Sequence, residues 1–392
     1  MDMGTLAYSP IGRLIEIRGT DPRFREDYVT SAYMPEPLQA DVRLDSTTHM
    51  AVATAAARVA RADQAARQLP NPTLLVRPAI RQEAVSTSAL EGTFAAFTDV
   101  LEADFLDEDE LSSSVAEVRN YVRTAEAAFG WIRDRPITIS LLEHLQKMLV
   151  RGTRADTAEA GHVRTTQVFI GAENRRISEA RFVPPPPGDH LRDGLEAWQR
   201  WITEPHALHP VGQAALAHYQ FESLHPFTDG NGRLGRLVVM LQLVTAKELQ
   251  TPIVNLSPWL NARRDEYQSR LFEVSATGNF NPWVSFFCEA LTAHAEDAVA
   301  GVDQLLALRN QLLEQIRAAH LRGVAVQLAG DLIGYPMLTV NAVKDLYGVS
   351  YQAANSAVGK MTELGILRQR TEGRYARIFS CDAVLSLLET PA

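Results

Sequence analysis

Apolar residues recur at intervals of three and four along most of this chain, which is the spacing of one face of an α-helix. The series Leu234, Leu237, Val238, Leu241 and Val244 is one example. The periodicity predicts helices over Val52–Gln68, Ala79–Leu90, Val115–Ile132, Ile139–Leu149, His190–Ile202, Val211–Ser223, Asn231–Lys247, Arg263–Ser275 and Pro282 to about Leu321. Residues before the first of these helices are expected to be irregular. The fold class is therefore predicted to be mainly α.

One segment between the helices has a different pattern. A short β-type run covers Gln167–Ile170, polar turn residues follow, and a second run covers Arg181–Val183. Four consecutive prolines, Pro184–Pro187, end the second run and favour a stiff polyproline II exit. The pattern predicts one β-hairpin in an otherwise helical body.

The C-terminal part of the chain changes character again. A helix is predicted over Val340–Tyr347, a turn at Gly348, a second helix over Ser350–Leu364, and two strands around Glu372-Gly373. Helix, glycine turn, helix and hairpin form the pattern of a winged helix-turn-helix domain. We therefore expect a domain at 335–392, after a boundary between about 321 and 336.

This C-terminal part is nearly neutral, which leaves its role open. Its second helix is poor in cations that read bases, whereas its hairpin carries arginines that are suited to phosphates, Arg368, Arg370, Arg374 and Arg377. DNA binding and docking of a protein or a second copy of the chain are therefore both retained.

Composition narrows the class of protein. The 392 residues are 46% hydrophobic and 22% charged, as in soluble globular proteins, and the length favours two or three domains. A net charge of −9 argues against a protein whose whole surface binds polyanions. Two distant cysteines, Cys288 and Cys381, cannot form a disulfide framework or a four-cysteine zinc site.

The first residues lack the pattern of a signal peptide, and no apolar run could span a bilayer. We expect a cytoplasmic location and no membrane partner.

The segment HPFTDGNGRLGR, residues 225–236, carries the chemistry. Gly230 and Gly232 permit a backbone cradle for an anion at the start of a helix, where unpaired N–H groups and the helix dipole favour phosphate. Arg233 and Arg236 lie on one face of the first turns and suit phosphate oxygens. Asp229 is placed to hold Mg²⁺ beside nucleotide phosphates.

His225 precedes this cradle, and a neutral imidazole is a natural acceptor for a hydroxyl proton. Any one of these features alone is more often an ordinary turn, loop or solvated helix face. Their fixed order over twelve residues favours a functional site. The nearby His218 and Tyr219 are expected to pack in the core, and Cys288 is expected to be a buried structural thiol.

The segment resembles the signature of Fic-domain proteins, His-x-Phe-x-Asp/Glu-Gly-Asn-Gly-Arg-x-x-Arg, at every defining position, and the resemblance covers roughly residues 25–320. It implies a helical bundle with a hairpin flap, and transfer of AMP from ATP to a Tyr, Thr or Ser hydroxyl of a target protein or of the chain itself. It also implies that His225 is the base, that Asp229 binds Mg²⁺, and that the hairpin receives the target as an added strand. The nucleotide-binding positions implied are Gly230, Asn231, Gly232, Arg233, Leu234, Gly235, Arg236 and Arg263, where Arg263 replaces the usual asparagine.

A second motif lies upstream. Thr87, Glu91 and Gly92 match the family's inhibitory pattern Ser/Thr-x-x-x-Glu-Gly/Asn, here on an N-terminal helix. The resemblance implies that Glu91 competes with the γ-phosphate for Arg236. We therefore predict an N-terminal helical region with the inhibitory motif at 1–115 and a catalytic core at 116–320.

Two alternatives to an autoinhibited adenylyltransferase remain. The same site run in reverse would remove AMP from a modified protein, with Glu91 orienting a water molecule. A nucleotide-sensing regulator that binds DNA through its C-terminal domain is the non-enzymatic alternative. A homodimer is a further option that the sequence does not decide.

Overall fold

A computed structural model describes residues 3–21, 24–69, 71–171, 176–371 and 377–389. Helices dominate these ranges, so the predicted fold class is confirmed, and each predicted helix is present with ends that differ by a few residues. In chain order they are α1 Ser46–Ala66, α2 Thr73–Leu90, α3 Phe97–Glu102, α4 Ser113–Trp131, α5 Ile139–Val150, α6 Asp189–Thr203, α7 Pro210–Leu224, α8 Asn231–Thr245, α9 Ser257–Ala262, α10 Arg264–Thr277, α11 Asn281–Ala318, α12 Val324–Asp331, α13 Val340–Tyr347, α14 Tyr351–Glu363 and α15 Asp382–Glu389.

The N-terminal stretch is not irregular, and that prediction is wrong. Strands β1 (Gly12–Asp21) and β2 (Glu26–Pro35) form an antiparallel hairpin with Gly12 opposite Pro35 and Asp21 opposite Glu26. The ring of Tyr28 lies over Gly19, where a Cβ would be only 2.6 Å from its hydroxyl oxygen. Cross-strand aromatic packing of this kind covers a glycine that would otherwise weaken its strand.

Helix α2 begins earlier than its proline suggests. It starts at Thr73 and contains Pro78, whose missing N–H costs one hydrogen bond near the N-terminus. The apolar residues of its first turns are buried, and this packing holds the turn in place. The predicted end is confirmed, because Gly92 adopts φ 89° and the Thr93 N–H bonds to the Ser88 carbonyl at 2.9 Å.

The chain divides into two compact units, each made of segments that are distant in sequence. The first comprises Met1–Ala57, Asn120–Leu249 and Leu256–Thr292. Its centre is the packed pair α7 and α8, flanked by α5 and α6. Two buried tryptophans fasten α7 by donating to its carbonyls, Trp198 to Ala217 at 2.9 Å and Trp283 to Ala215 at 2.8 Å.

The second unit comprises Arg58–Arg119, Gln250–Asn255 and Ala293–Ala392. In its C-terminal segment, residues 335–389, strand β3 (Met337–Thr339) precedes helices α13 and α14, and strands β4 (Arg368–Gln369) and β5 (Ile378–Ser380) follow them. The three strands form a sheet of order β3-β5-β4. These elements agree with helix, turn, helix and hairpin, although the turn of the predicted hairpin, Glu372-Gly373, lies outside the described residues. The winged-helix assignment stays a prediction.

The C-terminal segment shares a hydrophobic cluster with α3. Leu101 packs with Met337 and Leu385, and Phe97 and Phe105 cover the group. Helix α2 is tied to the same segment by further contacts: the Gln82 side chain donates to the Leu388 carbonyl at 2.7 Å, Arg77 lies over the Tyr335 ring at 4.5 Å, and Gly334 abuts Leu74. Residues 73–105 and 335–389 therefore form one packed body.

The predicted boundary region at 321–336 contains helix α12. In the predicted hairpin at 167–183 the structure shows one bridge, Ile170 with Phe182, while residues 172–175 lie outside the described part. The domain ranges 1–115, 116–320 and 335–392 stay predictions, as does the cytoplasmic location. No helix in the described part of the chain combines the length and apolar character needed to cross a membrane.

Candidate active site

The motif forms the connection between α7 and α8. His225 caps α7 in the left-handed conformation, φ 48° and ψ 62°, and its N–H donates to the Phe221 carbonyl at 2.9 Å. A non-glycine residue adopts this conformation only when its surroundings hold it there. Gly230 caps α8 with φ 81°, and an added Cβ would lie 3.0 Å from Leu149. The loop is therefore bounded by two left-handed residues, one of which is the predicted base.

Asn231 fixes the loop through its side chain. Its Oδ1 accepts from the Phe227 N–H at 2.9 Å, and its Nδ2 donates to the Phe227 carbonyl at 2.8 Å. The residue is 2% exposed. Because the amide is committed to the loop, the contribution of Asn231 to phosphate binding is expected from its backbone, at the N-terminus of α8 together with Gly232.

Two buried cations follow on the first turns of α8. Arg233 and Arg236 are 3% and 2% exposed. Arg233 Nη2 donates to Asp229 Oδ1 at 2.9 Å, and the Asp229 side chain keeps 33% of its exposure. Burying a guanidinium is costly unless it meets an anion or good acceptors. The pair of cations at a helix N-terminus thus makes a site suited to phosphate.

A neutral histidine lies in the core beneath this helix. His218 Nε2 is 2.7 Å from the Tyr267 hydroxyl, and its ring stacks with that of Trp283. Burial, with the charge of Arg236 as a second cause, lowers the pKa of His218 to about 3. The prediction that His218 and Tyr219 pack in the core is confirmed, since both are buried, and Cys288 is buried as well.

Leu234 and Gly235, predicted to bind the nucleotide, have packing roles in the fold. Leu234 is fully buried. Gly235 faces α7 so closely that an added Cβ would meet Glu222 Oε1 at 2.6 Å and Phe221 Cδ1 at 3.0 Å. The glycine therefore permits the approach of α8 to α7, and nucleotide contact by either residue stays a prediction.

Sequence reasoning missed two polar residues that hold the motif. Gln146 on α5 is fully buried, donates to the Asp229 carbonyl at 3.2 Å and accepts from the Gly161 N–H at 2.6 Å. Arg164 donates to the His225 carbonyl at 2.8 Å. Both act on main-chain atoms far away in sequence, so no motif marks them. The signal available in the sequence was Arg164, a cation shortly before the predicted hairpin.

The other predicted residues lie on separate elements. Arg263 is exposed between α9 and α10, with its guanidinium 4.1 Å from the Trp259 ring centre. Thr87 is buried near the end of α2, Glu91 is exposed at its C-cap, and Gly92 follows. These three belong to the second unit, whereas the motif belongs to the first. The contact of Glu91 with Arg236 stays a prediction.

The arginines of the C-terminal segment are engaged within the fold. Arg368 pairs with Asp382 and Arg370 with Glu102, each at 2.6 Å. Arg377 donates to the Asn355 side chain at 2.6 Å, while Arg374 lies outside the described residues. DNA binding by this segment stays a prediction.

Comparison with known proteins adds to this geometry. The Fic/DOC family N-terminal model matches residues 49–130, and the Fic/DOC family model matches residues 136–243. These matches identify a Fic/DOC N-terminal region and a Fic domain within the chain. The second match contains the whole loop from His225 to Arg236, and the first contains the Thr87–Gly92 motif.

Relatives agree over part of their length. The chain is 35% identical to "Protein adenylyltransferase Fic" of Drosophila yakuba over 136 residues, 34% of this chain and 24% of the relative. The Drosophila melanogaster protein of the same name is 34% identical over the same shares. The chain thus spans about a quarter of the length of these relatives. A crystal structure of a Fic family protein from Desulfovibrio desulfuricans G20 has a TM-score of 0.58 at 22% identity, over 88% of this chain and 98% of that one, which shows the shared fold.

Proposed function

We propose that this chain is a protein adenylyltransferase that transfers AMP from ATP to a hydroxyl group of a protein. The observation that carries the proposal is the complete motif loop, which joins His225 to two buried arginines at the N-terminus of α8. The relatives named protein adenylyltransferase and the match of residues 136–243 to the Fic/DOC family model support the same activity.

The site residues have complementary tasks in this reaction. His225 accepts the proton of the acceptor hydroxyl, whose oxygen forms a bond to the α-phosphorus. The bond to the β-phosphate breaks, and pyrophosphate leaves with the electron pair. Arg233, Arg236 and the N–H groups that open α8 bind the phosphates and stabilise their negative charge.

Asp229 fits a magnesium ion that is shared with the nucleotide. Its carboxylate is partly exposed beside the phosphate-binding helix end, and one oxygen accepts from Arg233. Mg²⁺ commonly uses one or two carboxylates together with substrate phosphates, so a single acidic residue is a sufficient protein ligand. When bound, the ion would neutralise charge on the phosphates.

The activity is tested by incubating the full chain with α-³²P-labelled ATP and Mg²⁺. Loss of a general base slows a reaction by about 10²–10⁴-fold, so His225→Ala is expected to label by that factor more slowly while it still binds ATP. His190→Ala, a change at an exposed histidine of the first unit, is the matched control. Equal labelling by wild type and His225→Ala would overturn the assignment.

We further propose that Glu91 restrains this activity by competing with the γ-phosphate for Arg236. Support comes from the position of Glu91 at the C-cap of α2 and from the match of Thr87–Gly92 to the family's inhibitory pattern. A hydrogen bond to a charged partner contributes about 1.5–3 kcal/mol, so releasing it should raise transfer by roughly 10- to 150-fold.

Glu91→Gly and Glu91→Gln test this restraint against Asp99→Asn, which removes an exposed carboxylate eight residues further along. Both Glu91 variants should label faster, and Asp99→Asn should match wild type. An unchanged or lower rate in the Glu91 variants would refute the restraint. If they instead lose the removal of AMP from a pre-modified protein, the reverse reaction is the principal one.

A further inference from the structure

The guanidinium of Arg164 donates hydrogen bonds to four main-chain carbonyls. Nε donates to His225 at 2.8 Å, Nη1 to Thr166 at 3.1 Å, and Nη2 to Pro185 at 2.6 Å and Leu224 at 3.4 Å. The residue is 1% exposed, and burial lowers its pKa to about 10. It remains charged at neutral pH, in a place where a cation needs strong acceptors.

These four carbonyls come from three parts of the first unit. Thr166 precedes the hairpin segment 167–183, Pro185 follows it, and Leu224 and His225 end α7. The Arg164 N–H also donates to the Pro226 carbonyl at 2.9 Å. One side chain therefore joins both ends of the hairpin segment to the loop that presents His225.

The bond to the His225 carbonyl stabilises the backbone conformation of that residue. Its left-handed backbone, φ 48°, is less favourable than a right-handed one for any residue with a Cβ, and contacts with the surroundings stabilise it. Arg164 donates to the carbonyls of the residues before and after His225, Leu224 and Pro226, and to the carbonyl of His225 itself.

We propose that Arg164 is the positioning residue of the site, which fixes the backbone of His225 and keeps the hairpin segment in register with it. The base and the hairpin then move as one body. The expected effect on kinetics rests on the proposed function, in which His225 is the base, and on the expectation that the hairpin receives the acceptor. The mechanical link itself does not depend on the reaction.

The link is tested by hydrogen exchange in the full chain. Arg164→Met keeps an unbranched apolar stem and removes the donors, and Arg164→Lys keeps the charge but not the planar set of donors. The control is Gln167→Ala, which removes bonds to the Val168 and Pro184 carbonyls but none to the His225 loop. Both Arg164 variants should raise exchange at least tenfold at the His225 amide and at the Ile170 and Arg181 amides together.

In contrast, Gln167→Ala should raise exchange only at the two hairpin amides. The second measurement is the rate of labelling. A shift of about 1 Å in a catalytic group costs up to about 10²-fold, so kcat for labelling should fall 10- to 100-fold in Arg164→Met. The Kd for ATP should stay within about twofold, because the phosphate-binding arginines are on α8.

The outcomes separate the proposals. Unchanged exchange at His225, or wild-type kcat, in a folded Arg164 variant would overturn the positioning role. If Arg164→Met does not fold, Arg164→Lys decides by the same two measurements, with an expected loss of about tenfold in kcat. If the wild type transfers no AMP, the proposed function fails, and the exchange pattern alone decides the role of Arg164.

Discussion

Replacing Gly235 by alanine tests whether this motif glycine serves the close approach of two helices. An added Cβ would lie 2.6 Å from Glu222 Oε1 and 3.0 Å from Phe221 Cδ1. The carboxylate is the end of a flexible side chain and can move aside. The Phe221 ring is fully buried at the centre of the first unit and cannot move freely. The new methyl group therefore overpacks the contact between α7 and α8.

Two effects of opposite sign decide the magnitude. Overpacking a core contact costs about 1–3 kcal/mol. Alanine in place of glycine within a helix gains about 1 kcal/mol. We expect Gly235→Ala to lower the free energy of unfolding by roughly 0–2 kcal/mol. Gly130→Ala in α4 is the matched control, since no heavy atom of the described residues, beyond its own surroundings in the helix, lies within 4 Å of its added Cβ.

The difference between the two variants isolates the overpacking, because both gain helix propensity. It should amount to about 1–3 kcal/mol in urea unfolding followed by tryptophan fluorescence. This probe reports on the first unit, which contains all five tryptophans, Trp131, Trp198, Trp201, Trp259 and Trp283. Equal stabilisation of both variants would refute the packing role. Stability equal to that of the control, with ATP affinity lost only in Gly235→Ala, would assign the glycine to the nucleotide.

Three further predictions concern charges at and below the site. Arg236→Ala should weaken binding of ATP more than of AMP, and equal losses in calorimetry would contradict its assignment to the distal phosphates. Asp229→Ala should abolish the Mg²⁺ dependence of labelling together with most of the activity; a retained Mg²⁺ optimum would place the ion elsewhere. The folded chain binds a proton at His218 only near pH 3, whereas the unfolded chain binds it near 6.5. His218 should therefore make stability fall by up to about 1.4 kcal/mol per pH unit below pH 6.5, and His218→Asn should reduce the measured slope by that contribution between pH 6.5 and 5 in urea unfolding.

Sequence patterns predicted the elements whose causes are local. Helix periodicity, the stop at Gly92 and the motif loop all depend on residues within a few positions of one another. The β1–β2 hairpin was missed because its glycines, Gly12 and Gly19, weaken the strand signal, and tyrosines on the opposite strand restore it. Cross-strand contacts of this kind cannot be read from one strand alone.

The supports of the site could not be predicted for a related reason. Gln146 and Arg164 donate to main-chain carbonyls that any residue type could provide, so no partner side chain signals the contact. Pro78 likewise favours a helix start after it, but the buried apolar residues on either side of it extend α2 to Thr73. In both cases long-range packing outweighs the local rule.

The cluster of Leu101, Met337 and Leu385 determines where this chain can be truncated or joined to another. A chain that ends near residue 321 would expose the apolar face of α3 and remove the contacts along α2. Such a truncation would alter the segment with the inhibitory motif as well as deleting a C-terminal domain. The C-terminal segment is therefore not an interchangeable module, and a chimaera that replaces it must bring a matching version of residues 73–105.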